Sequence, residues 1–439
     1  MYKKKLIQGT IILTGASLIT RILGLANRMV LSRLIGAEGL GLFQMALPYY
    51  MLMTVVANLS MPGAMSRIIS NRMAQGDKAG VEQVRRISLY LVIVTSVLSA
   101  AALWLGAPLL ACYFLPDPRV ELMFKAMSPA LLFIGPSSAI KGYFQGLNNM
   151  TPSAVSLIVE QFFRVGASIS GAYMLLPRGL EAAVLGSVTG YALGEACCFA
   201  VMRWYDKSRY IPFIYRPRAT NSATLRELFY FALPLVMIRF SGSISSSIAA
   251  FLIPARLIQA GFTTAQATSL FGKLMGMALP LLFLPTVAIM PLSTTLVPTI
   301  TSAVSLHNRQ LTKRLINFAF SLTFLLGGIT SVIFFLFPEQ LVNLFYNTPA
   351  VAPLVVGMAP AVPFAYTQFT GLAILNAIGL PRQAFFTDII SNIAFLTLVF
   401  FLVGNPQLGI QGAVWALNIS FFFGAIVVLV LIYYGIKKL

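Results

Sequence analysis

The chain is 439 residues long, 58% hydrophobic and only 10% charged, where an average soluble protein carries about 25% charged residues. Each helical crossing of a bilayer takes roughly 20 mostly apolar residues, so about twelve crossings leave only short connections and exclude large soluble domains. The formal net charge is +19, with one histidine, His307, and three cysteines, Cys112, Cys197 and Cys198, none in a CxxC pair. Such a set offers no zinc site, haem attachment or disulfide framework, so neither a metal nor a cofactor is expected.

Charges, prolines and glycines bound twelve apolar stretches. The first six are Leu6 to Leu34, Leu40 to Ile69, Ile87 to Phe114, Leu122 to Leu147, Ala154 to Leu176 and Leu180 to Trp204. After a basic stretch follow Leu228 to Ile253, Ser269 to Ile300, Leu315 to Phe337, Leu354 to Ile378, Ala384 to Val403 and Ile410 to Tyr434. No cleavable signal peptide is expected, because the first apolar run is too long and lacks a small-residue cleavage site.

The connections alternate in charge. One side takes Lys3 to Lys5, Arg67, Arg72, Lys78, Arg85, Arg86, Arg203, Lys207, Arg209, Arg216, Arg218, Arg226, Arg309, Lys313, Arg314, Arg382, Lys437 and Lys438; the other takes little beyond Arg119, Arg178 and Arg256. Lys and Arg concentrate on the cytoplasmic side, so both termini are expected inside. Topology accounts for most of the basic charge, and no nucleic-acid partner is expected.

The two halves repeat at an offset near 230 residues: Met45-Ala46-Leu47-Pro48 returns as Met277-Ala278-Leu279-Pro280, Thr54-Val55 as Thr286-Val287, and Gly179 to Val184 faces Gly409 to Val414. Six helices per half is an even number, which makes the repeat parallel, the arrangement of transporters whose site lies between lobes near the midplane. The expected fold is therefore an all-α polytopic membrane protein, with two parallel six-helix lobes around a central cavity. Its parts are an N-terminal lobe over 1–206, a basic cytoplasmic linker over 207–226 and a C-terminal lobe over 227–439. Gly186, Gly190 and Gly194, Gly142 with Gly146, and Gly272 with Gly276 have the four-residue spacing of closely packed membrane helices. Pro48, Pro62, Pro136, Pro234, Pro280, Pro285 and Pro291 lie within spans and are expected to bend them.

Chemistry must reside in the ionisable groups that the spans carry, since each costs about 2.5–3.5 kcal/mol or more at a helix centre. The basic ones are Arg21, Arg28, Lys125, Lys141, Arg164, Arg239 and Lys273, against the acidic Glu160, Glu195 and Asp388. Thr14, Ser17, Arg21, Gly24 and Arg28 form one polar stripe at helical spacing, and Arg239, Gly242 and Ser246 form another. Arg21 and Arg239 have no acid at helical spacing and are the leading cavity candidates. Arg28, Lys125 and Lys141 also fit snorkelling residues near the interfaces. Glu160 and Arg164, four apart, fit a structural pair. Gly272-Lys273 lacks the rest of a phosphate-binding loop. His307 sits in a basic connection, and the Asn149-Met150-Thr151 sequon falls on the inner side. No Ser-His-Asp or paired-carboxylate arrangement stands out, so the chain is not expected to be an enzyme.

Three segments carry a family resemblance: "GTIILTGASLITRILGLANRMVLSRLIGAEGLGLFQMALP", "KGYFQGLNNMTPSAVSLIVEQFFRV" and "FLIPARLIQAG" with "GKLMGMALPLLFLPTVAIMPLSTTLVPTIT". They resemble the stage V sporulation protein B and polysaccharide-transporter branch of the MOP exporter superfamily, whose fold is MATE-like. The resemblance implies a flippase that moves a polyprenyl-pyrophosphate-linked glycan, a peptidoglycan or polysaccharide precursor, across the bacterial plasma membrane by alternating access. Membrane lipid is the expected surroundings and a monomer the expected state; the energy source is left open between the membrane potential, a Na+ or H+ gradient and substrate supply alone. In related lipid II flippases the first helix carries two arginines; here Arg21 matches the first, while Asn27 stands where the second falls and Arg28 follows it. Lys273 matches their eighth-helix arginine. The basic pair after their second-helix Leu-Pro is replaced by Tyr49-Tyr50-Met51-Leu52-Met53.

The candidate substrate-binding set is thus Arg21, Arg28, Arg239, Lys273 and Arg164, and the candidate ion-coupling set is Glu160, Glu195 and Asp388. Two other classes compete with this reading. A cation-coupled multidrug exporter of the same superfamily would need cavity acids, which three acids against seven bases disfavour. A non-transporting membrane scaffold would leave the intramembrane charges without a use.

Overall fold

The computed structural model describes residues 2–209, 220–306 and 308–437, with side chains for all of these except 2–8, 10, 208–209 and 287–295. His307 and the linker arginines Arg216 and Arg218 lie outside the described residues. No strand forms among the described residues. The chain falls into two compact units that meet in sequence at Ser247 and Ile248.

The first unit opens with α1 (Tyr2–Asn58) and α2 (Met61–Ala74). Helix α1 is two helices joined at Gly36, whose φ of 63° and ψ of −171° no helix accommodates; this is the turn predicted between the first two spans. A second break at Leu59 and Ser60, both at positive φ, precedes Pro62 in the first turn of α2, where a missing N–H costs nothing. Next come α3 (Lys78–Leu109), started by the Asp77 carboxylate accepting from the Gly80 N–H, α4 (Val120–Gly146), α5 (Thr151–Leu175) and α6 (Leu180–Arg209).

Helix α7 (Asn221–Gln259) spans the division between the units. Its first half belongs with the first unit because Leu228 shares a core with Met61, Met65, Tyr143, Cys198 and Met202. A buried arginine fastens it there as well. Arg72 Nη2 lies 2.8 Å from the Glu227 carboxylate and donates to the Thr224 hydroxyl, and Nη1 donates to the Gly80 carbonyl. Several other bases of this helix end are similarly engaged: Glu82 accepts from Arg85 and Arg86, and Arg85 reaches Asp206 at 3.0 Å. At the opposite ends of these helices Arg119 pairs with Glu38 and with buried Asp117 at 2.8 and 2.7 Å. The bonds to Asp117 hold its guanidinium above the ordinary arginine range.

In the second unit follow α8 (Thr264–Phe271), a π-helical stretch over Gly272–Ala278, α9 (Leu279–Phe283) and α10 (Thr286–Ser305). Together they make up the eighth predicted span, broken where Pro280 and Pro285 fall. After these come α11 (Arg309–Leu336), α12 (Pro338–Tyr346), α13 (Ala352–Met358), α14 (Ala361–Ala377), α15 (Pro381–Val403) and α16 (Ile410–Lys437). Ile316, Leu375, Val428 and Ile432 form the core of this unit. Arg256 caps the end of α15: Nε donates to the Phe400 carbonyl at 2.7 Å and the guanidinium lies 3.7 Å from the Phe400 ring centroid. Helix α12 was not expected; its short alternation of polar and apolar residues reads as a loop at the scale of a membrane span.

All twelve predicted spans fall on helix. Seven helical stretches among the described residues pass on length and composition alone as membrane crossings, and a pair bent by 60°, Pro349–Met358 with Ala361–Ala377, makes eight. The count is lower than twelve for physical reasons. One stretch, Ile11–Ala74, is 64 residues long; at 1.5 Å per residue it measures about 96 Å and must cross twice. Helices α4 and α5 carry Lys125, Lys141, Glu160 and Arg164, and the eighth span is broken. Outward faces are apolar, as lipid requires: Leu98 and Leu105 on α3 are 62% and 77% exposed, an arrangement water would penalise. The repeat is visible locally: Gly179 and Gly409, at φ 109° and 48°, each turn the chain into the last helix of their half.

Candidate functional site

The glycines of α6 determine what meets inside the first unit. A Cβ on Gly190 would lie 2.5 Å from the Arg164 carbonyl oxygen, and one on Gly194 would lie 2.9 Å from the Glu160 carbonyl oxygen; Gly171 and Gly186 likewise face each other's backbones. Without side chains in the seam, α5 and α6 approach to backbone contact. Gly142 and Gly146 do the same for α4 against α2, where their Cβ positions meet Met65 and Ile69.

This approach assembles a buried cluster of charges. Arg164 Nη2 donates to Glu160 Oε1 at 2.6 Å and to Glu195 Oε1 at 2.8 Å. Lys141 Nζ, from α4, lies 3.6 Å from Glu160 Oε2. The Arg164 guanidinium sits 4.7 Å from the Tyr191 ring centroid, and Tyr191 packs edge-on to Tyr50 of α1 at 5.2 Å. The Cys198 thiol is hydrogen-bonded with Lys141 and Glu160. Two carboxylates and two cations thus balance within one polar core. Ligand atoms of Glu160, Glu195 and Cys198 lie within 4.8 Å of one another, but both carboxylates are already engaged by cationic side chains, Arg164 and Lys141.

The pairing of Glu160 with Arg164 expected from their spacing is present, and Glu195 joins it. Sequence reasoning did not bring in Tyr50, Lys141, Tyr191 or Cys198. Tyr191, Glu195 and Cys198 lie at i, i+4 and i+7 on α6 and so share a face, which is the signal that could have grouped them.

The other candidates stand apart from this cluster. On α1, Gly24 lies 3.5 Å from the Gln161 side chain at its Cβ position, so the polar stripe turns toward α5. Within it Arg21 is exposed and Arg28 half-buried, close enough to act electrostatically on Tyr191. Arg239 is exposed on the half of α7 that packs with the first unit, and Ser246 returns its hydroxyl to the Gly242 carbonyl. Lys273 is half-buried on the π-helical turn of the second unit, a distortion that often marks functional positions. Asp388, also in the second unit, accepts from Asn392 Nδ2 at 3.2 Å. Lys125 pairs with Glu121 at 2.6 Å. Among the described residues, Arg21, Arg28, Arg239 and Lys273 make no ion pair.

Comparison with known proteins places these features. Residues 6–304 match the family described as "Polysaccharide biosynthesis protein". Stage V sporulation protein B of Bacillus subtilis (strain 168) is 32% identical over 421 residues, 95% of this chain and 81% of that protein. The lipid II flippase MurJ of the same organism is 28% identical over 331 residues, 71% of this chain and 61% of that protein. A solved inward-facing multidrug resistance MATE family transporter of the MOP superfamily superposes with a TM-score of 0.77 at 16% identity, covering 95% of each chain; it shares the fold. This all-α, multi-pass membrane protein with a MATE-like fold belongs to the polysaccharide biosynthesis protein family.

Proposed function

We propose that the protein is a flippase, not an enzyme, and that it moves a polyprenyl-pyrophosphate-linked glycan across the bacterial plasma membrane by alternating access. One observation carries this reading: the intramembrane acids are all engaged, whereas four of the seven intramembrane bases make no ion pair among the described residues. Glu160 and Glu195 are bound to Arg164, and Asp388 accepts from Asn392, whereas Arg21, Arg28, Arg239 and Lys273 have no carboxylate among the described residues. The surplus is positive, and it favours an anionic cargo over a cationic drug.

A pyrophosphate carries about two negative charges, and each loses many kcal/mol of hydration in a low-dielectric interior unless cations replace the water. The polyprenyl tail can remain in lipid while the headgroup passes inside the protein. Arginine suits that route because it stays charged and grips phosphate oxygens through a planar fork, whereas lysine offers a point charge. We assign Arg21, Arg28, Arg239 and Lys273 to the headgroup, and Arg164, already neutralised, to holding the first lobe together. In this reading residues 1–206 and 227–439 form the two lobes of a monomer, joined by the 207–226 linker, with both termini in the cytoplasm. Glu160, Glu195 and Asp388 are the candidate ion-coupling groups. The name of the MurJ relative, which acts on lipid II, supports a lipid-linked cargo. Movement of a labelled polyprenyl-pyrophosphate glycan in proteoliposomes, lost in Arg21→Ala and Arg239→Ala, is the test.

A further inference from the structure

The charges of the Lys141–Glu160–Arg164–Glu195 cluster cancel, and both carboxylates draw on one nitrogen. Arg164 Nη2 serves Glu160 Oε1 and Glu195 Oε1 at 2.6 and 2.8 Å, and Lys141 reaches Glu160. Arg164 is therefore the one ion-pair partner of Glu195 among the described residues, and it is shared. Beside it, Arg164 Nε and the Tyr50 hydroxyl are buried without a hydrogen-bond partner. Two buried donors beside the carboxylates are thus left without an acceptor.

The groups facing Glu195 come from every helix packed around it: Tyr50 and, through Tyr191, Arg28 from α1; Lys141 from α4; Glu160 and Arg164 from α5; Tyr191 and Cys198 from α6. A metal cation bound to Glu160, Glu195 and Cys198 would lie against a guanidinium and an ammonium. A proton meets no such obstacle. It bonds to a carboxylate oxygen, turns that group into an O–H donor, and leaves both cations in place with Glu160 still ionised.

We propose that the cluster is a proton-binding site, with one exchangeable proton carried on Glu195 and hydrogen-bonded toward Glu160. Uptake makes the O–H bond on Glu195, replaces its ion pair with Arg164 by a weaker hydrogen bond from the guanidinium to a neutral carboxyl, and raises the net charge of the cluster from zero to +1. Helix α6 is thereby loosened from Arg164 of α5 in the protonated state. The proposal deepens the transport reading by making the proton, rather than a metal cation, the ion that this site exchanges. It depends on that reading only for the use of the proton.

The test uses the purified full chain in lipid nanodiscs without substrate, titrated from acid to alkaline pH and followed by infrared difference spectroscopy of protonated carboxyl groups. The expected result is a carboxyl band that titrates apart from the exposed carboxylates, is lost in Glu195→Gln, is kept in a variant of the exposed Glu339, Glu339→Gln, and has a midpoint unmoved when sodium chloride replaces choline chloride. Absence of a titrating band, its survival in Glu195→Gln, or a midpoint that falls as sodium rises would overturn the proposal; the last result would make this a metal-cation site. Should Glu195→Gln fail to fold, Glu195→Asp must retain a titrating band at a shifted frequency, and the wild-type sodium comparison decides independently. Flipping assayed with the same purified proteins in proteoliposomes separates the two readings. Titration without flipping refutes the transport reading alone, and flipping without titration refutes the proton site alone.

Discussion

Removing Arg164 distinguishes a residue that holds the lobe together from one that touches cargo. The side chains of Arg164, Glu160 and Glu195 are 17%, 11% and 12% exposed, so solvent screens little of their interaction. Breaking a buried ion pair by deleting one partner costs about 3–5 kcal/mol, because the survivor stays buried without compensation. Arg164→Met strands two carboxylates and leaves Lys141, at 3.6 Å from one of them, as their remaining cation. The expected loss is at the upper end of that range, seen as a lower steady-state protein level and an earlier thermal transition by size-exclusion of a fluorescent fusion. Neutralising the whole group, with Lys141→Met, Glu160→Gln, Arg164→Met and Glu195→Gln combined, should recover most of the loss, since buried charge networks replaced by well-packed neutral groups are often as stable. An Arg164→Met protein as stable as the wild type yet unable to flip its cargo would refute the reasoning and move Arg164 into the substrate path.

Other expectations follow from the same structure. Arg21→Ala and Arg239→Ala should abolish flipping at near-normal expression, and lysine at either position should restore only part, as measured in proteoliposomes. Gly190→Leu should destabilise by about 1–3 kcal/mol or more, as overpacking does, because a Cβ there meets the Arg164 carbonyl oxygen at 2.5 Å; thermal stability reads this directly. A cysteine at Ser222, in a chain lacking Cys112, Cys197 and Cys198, should react with an impermeant maleimide only after cells are opened. Labelling from outside intact cells would reverse the proposed topology.

What the sequence disclosed depended on which forces leave a linear trace. Lipid solvation leaves long apolar runs, so all twelve spans were legible, and the glycine seam of α6 was visible as a four-residue spacing. Helix α1 kept its predicted turn because Gly36 is where the chain leaves helical geometry. The Glu160–Arg164 pair could be read because both sit on one helix. Glu195, Lys141 and Tyr50 come from three other helices, and no spacing along the chain encodes a contact between them. The attachment of the first half of α7 was equally hidden: Arg72, Glu227 and Leu228 tie it to the preceding helices from the far side of the basic stretch. Helix α12 is too short for a membrane-span pattern to register.

In the proposed mechanism unpaired arginines carry an anionic, lipid-linked headgroup through the protein. This is tested most directly by reconstituting the purified chain with a fluorescent polyprenyl-pyrophosphate glycan and following loss of protection from an impermeant quencher. The expected result is protein-dependent flipping that the Arg21→Ala, Arg239→Ala double mutant lacks. Flipping by that double mutant at the wild-type rate would contradict it.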